Sequence, residues 1–174
     1  MRFNVKTKHP LTLIELFIAL FIVMGVMGVV GMNVRGMILQ QRFQAEANEL
    51  VTTLRFAQDL MVFGRVDVSV VFKAEKDRLT YTLQPEEKLP EQWEKVIKQL
   101  KGEMTAVHSI HFGDDKEEDE LVLNFKSGGT MMSKGVLYLS SREEFNPDTS
   151  EIISIVLKGY PSPIRLYYSF VEEE

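Results

Sequence analysis

From Leu11 to Val34 the chain is almost wholly apolar, and between Leu16 and Met32 no ionisable or strongly polar side chain interrupts the run. At ~1.5 Å per residue such a helix reaches across a hydrocarbon core about 30 Å thick, so the pattern predicts one membrane span over residues 11–34. The run passes into helical sequence without a small-residue cleavage site behind it, which separates it from a removable secretory signal. Beyond it the apolar pattern narrows to a stripe. Phe43, Ala47, Leu50, Leu54, Ala57 and Met61 recur at alternating four- and three-residue spacing, while Glu46, Asn48, Glu49, Thr53, Arg55 and Asp59 occupy mostly the other faces. The spacing predicts an amphipathic continuation over 35–64, giving one helix from Leu11 to about Phe63, ~80 Å long at the standard rise. Its stripe is expected to be buried in its own domain, and Gly64 to stop it.

After Gly64 the period becomes two. Val66, Val68 and Val70 alternate with Asp67 and Ser69 before Val71 and Phe72, and Leu79, Tyr81 and Leu83 alternate with Thr80 and Thr82. The polar segment from Lys73 to Arg78 lies between them, a hairpin signal. Further strands are predicted at Ala106 to Phe112, Leu121 to Phe125, Val136 to Ser140, Ile152 to Leu157 and Ile164 to Phe170. Turns fall at Ser127-Gly128-Gly129, Asn146-Pro147-Asp148 and Tyr160-Pro161-Ser162-Pro163. Leu89, Trp93, Val96, Ile97 and Leu100 read as a short amphipathic helix ending at Gly102. The predicted class is α+β: a long N-terminal helix, transmembrane in one half and amphipathic in the other, packed on an antiparallel β-sheet domain over 65–174.

Charge sets the topology. The flank at residues 1–10 carries Arg2, Lys6 and Lys8 with no acid, so this basic leader is expected to stay cytoplasmic and the C-terminal domain to cross the membrane. The whole chain has 174 residues and a formal charge of -5, and the part from Arg35 onward holds 17 basic residues against 24 acidic ones. Nucleic acid is therefore not an expected partner, because binding phosphate requires a net basic face. The absence of Cys excludes disulfides, thiolate metal sites and a cysteine nucleophile.

Glu15 is the one charge inside the apolar run. An ionised carboxylate in lipid is expensive and is retained for a partner or a function. A cut before Leu11 would place a new amine four residues from it on the same helical face, or beside the Glu15 of an adjacent subunit. The alternative is that Glu15 snorkels to the cytoplasmic boundary.

Lys8-His9-Pro10-Leu11-Thr12-Leu13-Ile14-Glu15-Leu16, a short basic leader, then Thr-Leu-Ile-Glu-Leu, then an apolar helix, resembles the class III signal of type IV pilins and type II secretion pseudopilins. The resemblance implies that a prepilin peptidase cuts between Pro10 and Leu11, that the new N-terminus at Leu11 is methylated, and that Glu15 pairs with a neighbouring amine. The family usually has Gly before the cut and Phe after it. Pro10 here fixes the backbone dihedral at the scissile bond, so either the cognate peptidase is tolerant or the leader is retained. No proline lies between Leu11 and Gln84, which tilts the resemblance toward pseudopilins.

The passage from Leu50 to Val70, with Leu54-Arg55-Phe56-Ala57-Gln58 before Gly64 and a valine-rich strand, is similar to the minor pseudopilin H (FimT-like) group, with pseudopilins G, I and J as rivals. Asn124-Phe125-Lys126-Ser127-Gly128-Gly129 is similar to a strand-and-glycine passage of the same group. The resemblance implies a non-enzymatic, single-pass subunit of a type II secretion pseudopilus in the bacterial inner membrane, with a periplasmic domain and no cofactor. Its implied partners are the prepilin peptidase, other pseudopilins, and the secretin channel or secreted cargo. A minor type IV pilin and a membrane-tethered periplasmic binding module are the alternatives.

Candidate chemistry is sparse. His108 and His111 are three apart and on a strand face opposite ways, so they do not share a metal without a bulge, and His9 lies in the leader. The acidic segment from Asp114 to Glu120 is rich in oxygen but lacks the alternating spacing and central glycine of a calcium loop. Ser127-Gly128-Gly129-Thr130 lacks the ending of a phosphate loop and reads as a hairpin turn. No nucleophile with an adjacent base is recognisable, and no enzymatic activity is expected.

Overall fold

Helix α1 (Leu13–Asp59) begins directly after Thr12, where the apolar run starts. The computed structural model describes residues 12–75, 78–87, 89, 91–113, 120–129, 131–143, 145–146 and 151–172. Contacts divide the chain into two units, residues 1–40 and 41–174, and α1 crosses the division. In the first unit the described side chains from Leu13 to Gly28 and from Val34 to Gln40 are all exposed. Among the described residues no helix is long and apolar enough to cross a membrane. The span expected at 11–34 includes Leu11 and the side chains at 29–33, which lie outside the described residues.

In the second unit the stripe is buried in full: Phe43, Ala47, Leu50, Leu54, Ala57 and Met61 are each at most 3% exposed. Thr53, expected on the polar surface, is buried as well. Its hydroxyl donates to the Glu49 carbonyl at 3.2 Å, which lets a polar side chain enter the core. The helix ends at Gly64 as expected, although Gly64 is not the residue that reverses the chain. Its last turn, Leu60–Gly64, widens to a π-helix, and Arg65 rather than Gly64 takes the left-handed conformation (φ 51°, ψ 40°), its N–H donating to the Leu60 carbonyl. The additional residue in the wide turn moves the reversal one position on, at a cost of roughly 1–2 kcal/mol for a residue with a Cβ.

The remaining elements are β1 (Val68–Glu75), β2 (Arg78–Pro85), α2 (Glu91–Gln99), β3 (Gly102–Met104), β4 (Ser109–Phe112), β5 (Glu120–Lys126), β6 (Met131–Met132), β7 (Gly135–Ser140), β8 (Ile152–Leu157) and β9 (Arg165–Tyr167). They form two antiparallel sheets rather than one, in the orders β3-β2-β1-β5-β6 and β4-β7-β8-β9. The chain changes sheet between β3 and β4, between β4 and β5, and between β6 and β7. A single core joins the helix stripe to the inner rows of both sheets, among them Val70, Phe72 and Leu123 from the first and Leu137, Leu139 and Ile155 from the second.

In the five-stranded sheet β2 alternates between core and surface, as expected of a sheet with one wet face. The hairpin is tighter than expected. Its strands run inward to Glu75 and Arg78, and Lys73 stands in the ladder opposite Thr80, ion-paired with Glu120 at 3.4 Å on the solvent side. In the four-stranded sheet β8 is buried along its whole length because both faces are covered. Val136, Tyr138, Ile152 and Val156 face away from the main core and are capped by Phe145 and Val171. The strand expected over 164–170 shortens to β9, since the chain beyond it crosses the outer face as a strap. Tyr138 donates to the Val171 carbonyl at 2.7 Å, and Ser154 both donates to the Ser169 carbonyl at 2.7 Å and accepts from the Val171 N–H at 3.2 Å.

Two local fastenings are testable. Asp67 ends the approach to β1 and accepts both the Ser127 hydroxyl and the Ser127 N–H at 2.6 Å. These bonds, the hydroxyl first, hold its carboxyl below the ordinary range. The unfolded value is about 3.9, so this contribution is complete above that pH and disappears as pH falls through the lower folded value. Denaturation curves should show Asp67→Asn less stable than the parent at neutral pH, with the gap closing as pH is lowered below about 4. The second is Gly102, opposite Tyr81 in the ladder, where a Cβ would overlap the Tyr81 ring. Tyr81 is almost fully buried and cannot swing aside, so Gly102→Ala should lower stability by about 1–3 kcal/mol in the same assay.

Candidate functional site

Glu15 lies in the first turn of α1 and closes a capping box with Thr12. The Thr12 N–H donates to Glu15 Oε2 at 2.8 Å, the Thr12 hydroxyl donates to the same oxygen at 3.0 Å, and the Glu15 N–H reaches Thr12 Oγ1 at 3.4 Å. The carboxylate therefore has donors from its own chain and satisfies a backbone group that the helix leaves unpaired. Its position near the helix N-terminus is also favourable for a negative charge. Thr-Leu-Ile-Glu before an apolar run is the sequence form of this box, so that role was readable directly from the residues. Pro10 and Leu11, the expected cleavage and methylation positions, lie outside the described residues. Along the same helix a Cβ built at Gly25, Gly28 or Gly36 meets nothing within 4 Å, so no contact among the described residues requires glycine there.

In the second unit the polar shoulder of α1 holds the segment leading into and out of β9. Arg55 Nη2 donates to the Ile164 carbonyl at 3.0 Å, Gln58 to the Ser162 carbonyl at 3.2 Å, and Asn48 Nδ2 to the Tyr168 hydroxyl at 3.1 Å. Ser162 itself closes a turn, its N–H donating to the Gly159 carbonyl at 2.9 Å, and the Tyr160–Pro161 peptide within that turn is cis. Between helix and strand a groove of about 510 Å³ opens, lined by Asn48, Val51 and Arg55 on one side and Ile164, Arg165 and Tyr167 on the other. None of these residues was singled out as a site from the sequence. They come together across more than a hundred positions of chain, a juxtaposition for which periodicity carries no signal.

On the other shoulder Glu46 accepts the Thr105 N–H at 3.1 Å, the Thr105 hydroxyl at 3.0 Å and the Ala106 N–H at 2.9 Å. This explains why the strand expected from Ala106 begins only at Ser109: its first backbone donor, and that of Thr105 just before it, are given to a carboxylate instead of a neighbouring strand. Tyr81 lies below this region, and burial, followed by the nearby Glu49 and Glu46, pushes its phenol above the ordinary range, with Thr53 opposing.

His9 lies outside the described residues, and His108 and His111 belong to no metal-binding group among them. His108 precedes β4, its N–H donating to the Ser140 carbonyl at 2.9 Å, and the His111 ring packs 4.6 Å from that of Phe145. Among the described residues no three His, Asp or Glu side chains are grouped as for a metal, and residues 114–119 of the acidic segment lie outside them. Ser127–Gly129 forms a 3-10 turn between the paired strands β5 and β6, the hairpin connection that its sequence suggested. Comparison with family models, curated proteins and solved structures returns no match. The geometry of this chain therefore carries the functional reading. Glu46→Ala should cost about 1–3 kcal/mol of unfolding free energy, measured by chemical denaturation, because it strands two backbone donors at once.

Proposed function

We propose that the chain is a minor pseudopilin, most like the H group: a non-enzymatic subunit anchored in the bacterial inner membrane by its N-terminal helix, with its second unit in the periplasm. It assembles with other pseudopilins into a short type II secretion pseudopilus that helps drive protein export. The observation that carries this reading is the apolar surface exposed on every side of the first unit's helix, with Leu13, Phe17, Phe21 and Met27 among its members. A helix apolar all round is stable only when something covers it, whether lipid or other helices. A pseudopilin uses both covers in turn, lipid before assembly and neighbouring helices afterwards. The glycines at 25, 28 and 36 support the same reading. Each costs about 1 kcal/mol of helix propensity relative to Ala, with no compensating contact among the described residues.

In this reading a prepilin peptidase cuts between Pro10 and Leu11 and methylates Leu11, and the new amine neutralises Glu15 as protomers leave the bilayer. Pairing lowers the desolvation cost of both charges. The exposed domain then meets other minor pseudopilins, the secretin or cargo. A minor type IV pilin would share this mechanism with a different load, and the acidic domain, 17 basic against 24 acidic residues from Arg35 on, speaks against DNA as that load.

Glu15→Gln separates the two roles of the carboxylate, because Gln also closes a capping box while carrying no charge. Co-expressed with an assembly machinery, this variant should enter sheared or crosslinked filaments at least about tenfold less than the parent, with the denaturation midpoint of the second unit unchanged. Equal incorporation would reduce the protein to a membrane-tethered module. N-terminal mass spectrometry of membrane-purified protein should show methylated Leu11, and a majority beginning at Met1 would count against processing.

A further inference from the structure

The groove beside β9 reverses the charge of the chain around it. The protein carries -5 overall, yet the groove lining contains Arg55 and Arg165 and no Asp or Glu. Arg55 gives one donor to the Ile164 carbonyl, and a guanidinium has five. Arg165 is exposed on β9 itself. β9 is the terminal strand of its sheet, hydrogen-bonded to β8 on one side, so its other rim presents backbone groups that the sheet does not use. An edge strand running beside a helix across a groove of about 510 Å³ is the setting in which an extended segment adds as a further strand. Val51 and Ile164 give its floor an apolar character, and the two arginines fix the sign of what lies above.

We propose that this groove docks an extended acidic segment of a partner protein, which pairs with the free rim of β9 and sets its carboxylates against Arg55 and Arg165. Main-chain pairing supplies register, and guanidinium–carboxylate bonds select acidic side chains over neutral ones. The proposal concerns the second unit and stands independently of the role given to the N-terminal helix, so either can fail alone.

The test uses the full chain in neutral detergent and a fluorescein-labelled peptide of three Glu-Val repeats, read by fluorescence anisotropy. Saturable binding is expected, weakened at least about tenfold by Arg165→Gln and largely retained by Arg165→Lys, with unchanged denaturation midpoints in both variants. Replacing every Glu of the peptide by Gln, or N-methylating its Val residues, should weaken binding comparably, and added salt should weaken it further. Equal binding by Arg165→Gln, equal binding of the Gln peptide, or no saturation up to about 1 mM peptide would overturn the proposal. So would sedimentation showing a homodimer that the peptide dissociates, since the occupant would then be a second copy of the chain.

Discussion

The second unit depends on covering one helical stripe. Phe43, Ala47, Leu50, Leu54, Ala57 and Met61 lie in a core shared with the inner rows of two sheets, and a fully buried Leu or Phe contributes about 1.5–3 kcal/mol relative to exposure. Neither sheet replaces the other, since Val70 and Phe72 come from one while Leu137, Leu139 and Ile155 come from the other. The alanines at 47 and 57, both fully buried, place small side chains in the middle of this contact. The shoulders of the same stripe then provide the polar fastenings. Glu46 holds the connection at which the chain changes sheet, and Asn48, Arg55 and Gln58 hold the segment around β9. Each of these bonds joins the helix to chain distant in sequence, so ordering the helix also orders the loops that the sheets need.

The first unit poses the opposite problem. Its described side chains from Leu13 to Gly28 and from Val34 to Gln40 are all exposed. Physical chemistry requires a cover, although it does not by itself name the cover. The proposal of a filament subunit, which would exchange lipid for neighbouring helices, rests on this contrast between a one-sided stripe and an apolar surface exposed all round.

Much of the second unit was legible in the sequence because burial there follows simple periods. The helix stripe and the strands at β2, β5, β7 and β8 fall where apolar spacing put them. What spacing does not encode is pairing. Alternation says which face of a strand is wet and nothing about its neighbour, so the division into two sheets and the short strands β3 and β6 went unread. The errors at strand ends have specific causes: the backbone at Thr105 and Ala106 is bound by Glu46, and the strap at Ser169 to Val171 is bound by Ser154 and Tyr138. Arg65 in the left-handed conformation was hidden by the more obvious glycine beside it. At the N-terminus Thr12-Leu13-Ile14-Glu15 spells out a capping box, and the carboxylate that membrane cost marks as needing a partner has donors in Thr12.

The capping role of Glu15 and the pairing proposed for it are compatible. The capping box engages the carboxylate through Thr12, the residue next to Leu11, so a terminus created at Leu11 would stand one residue from a group that the carboxylate already holds. The box also fixes the direction of the carboxylate before any partner arrives, and a preorganised acid loses less side-chain freedom on pairing than a mobile one. In the proposed function the same acid would both cap its helix and pair with an amine, so removing the charge while keeping the cap is the change that separates assembly from simple helix stability.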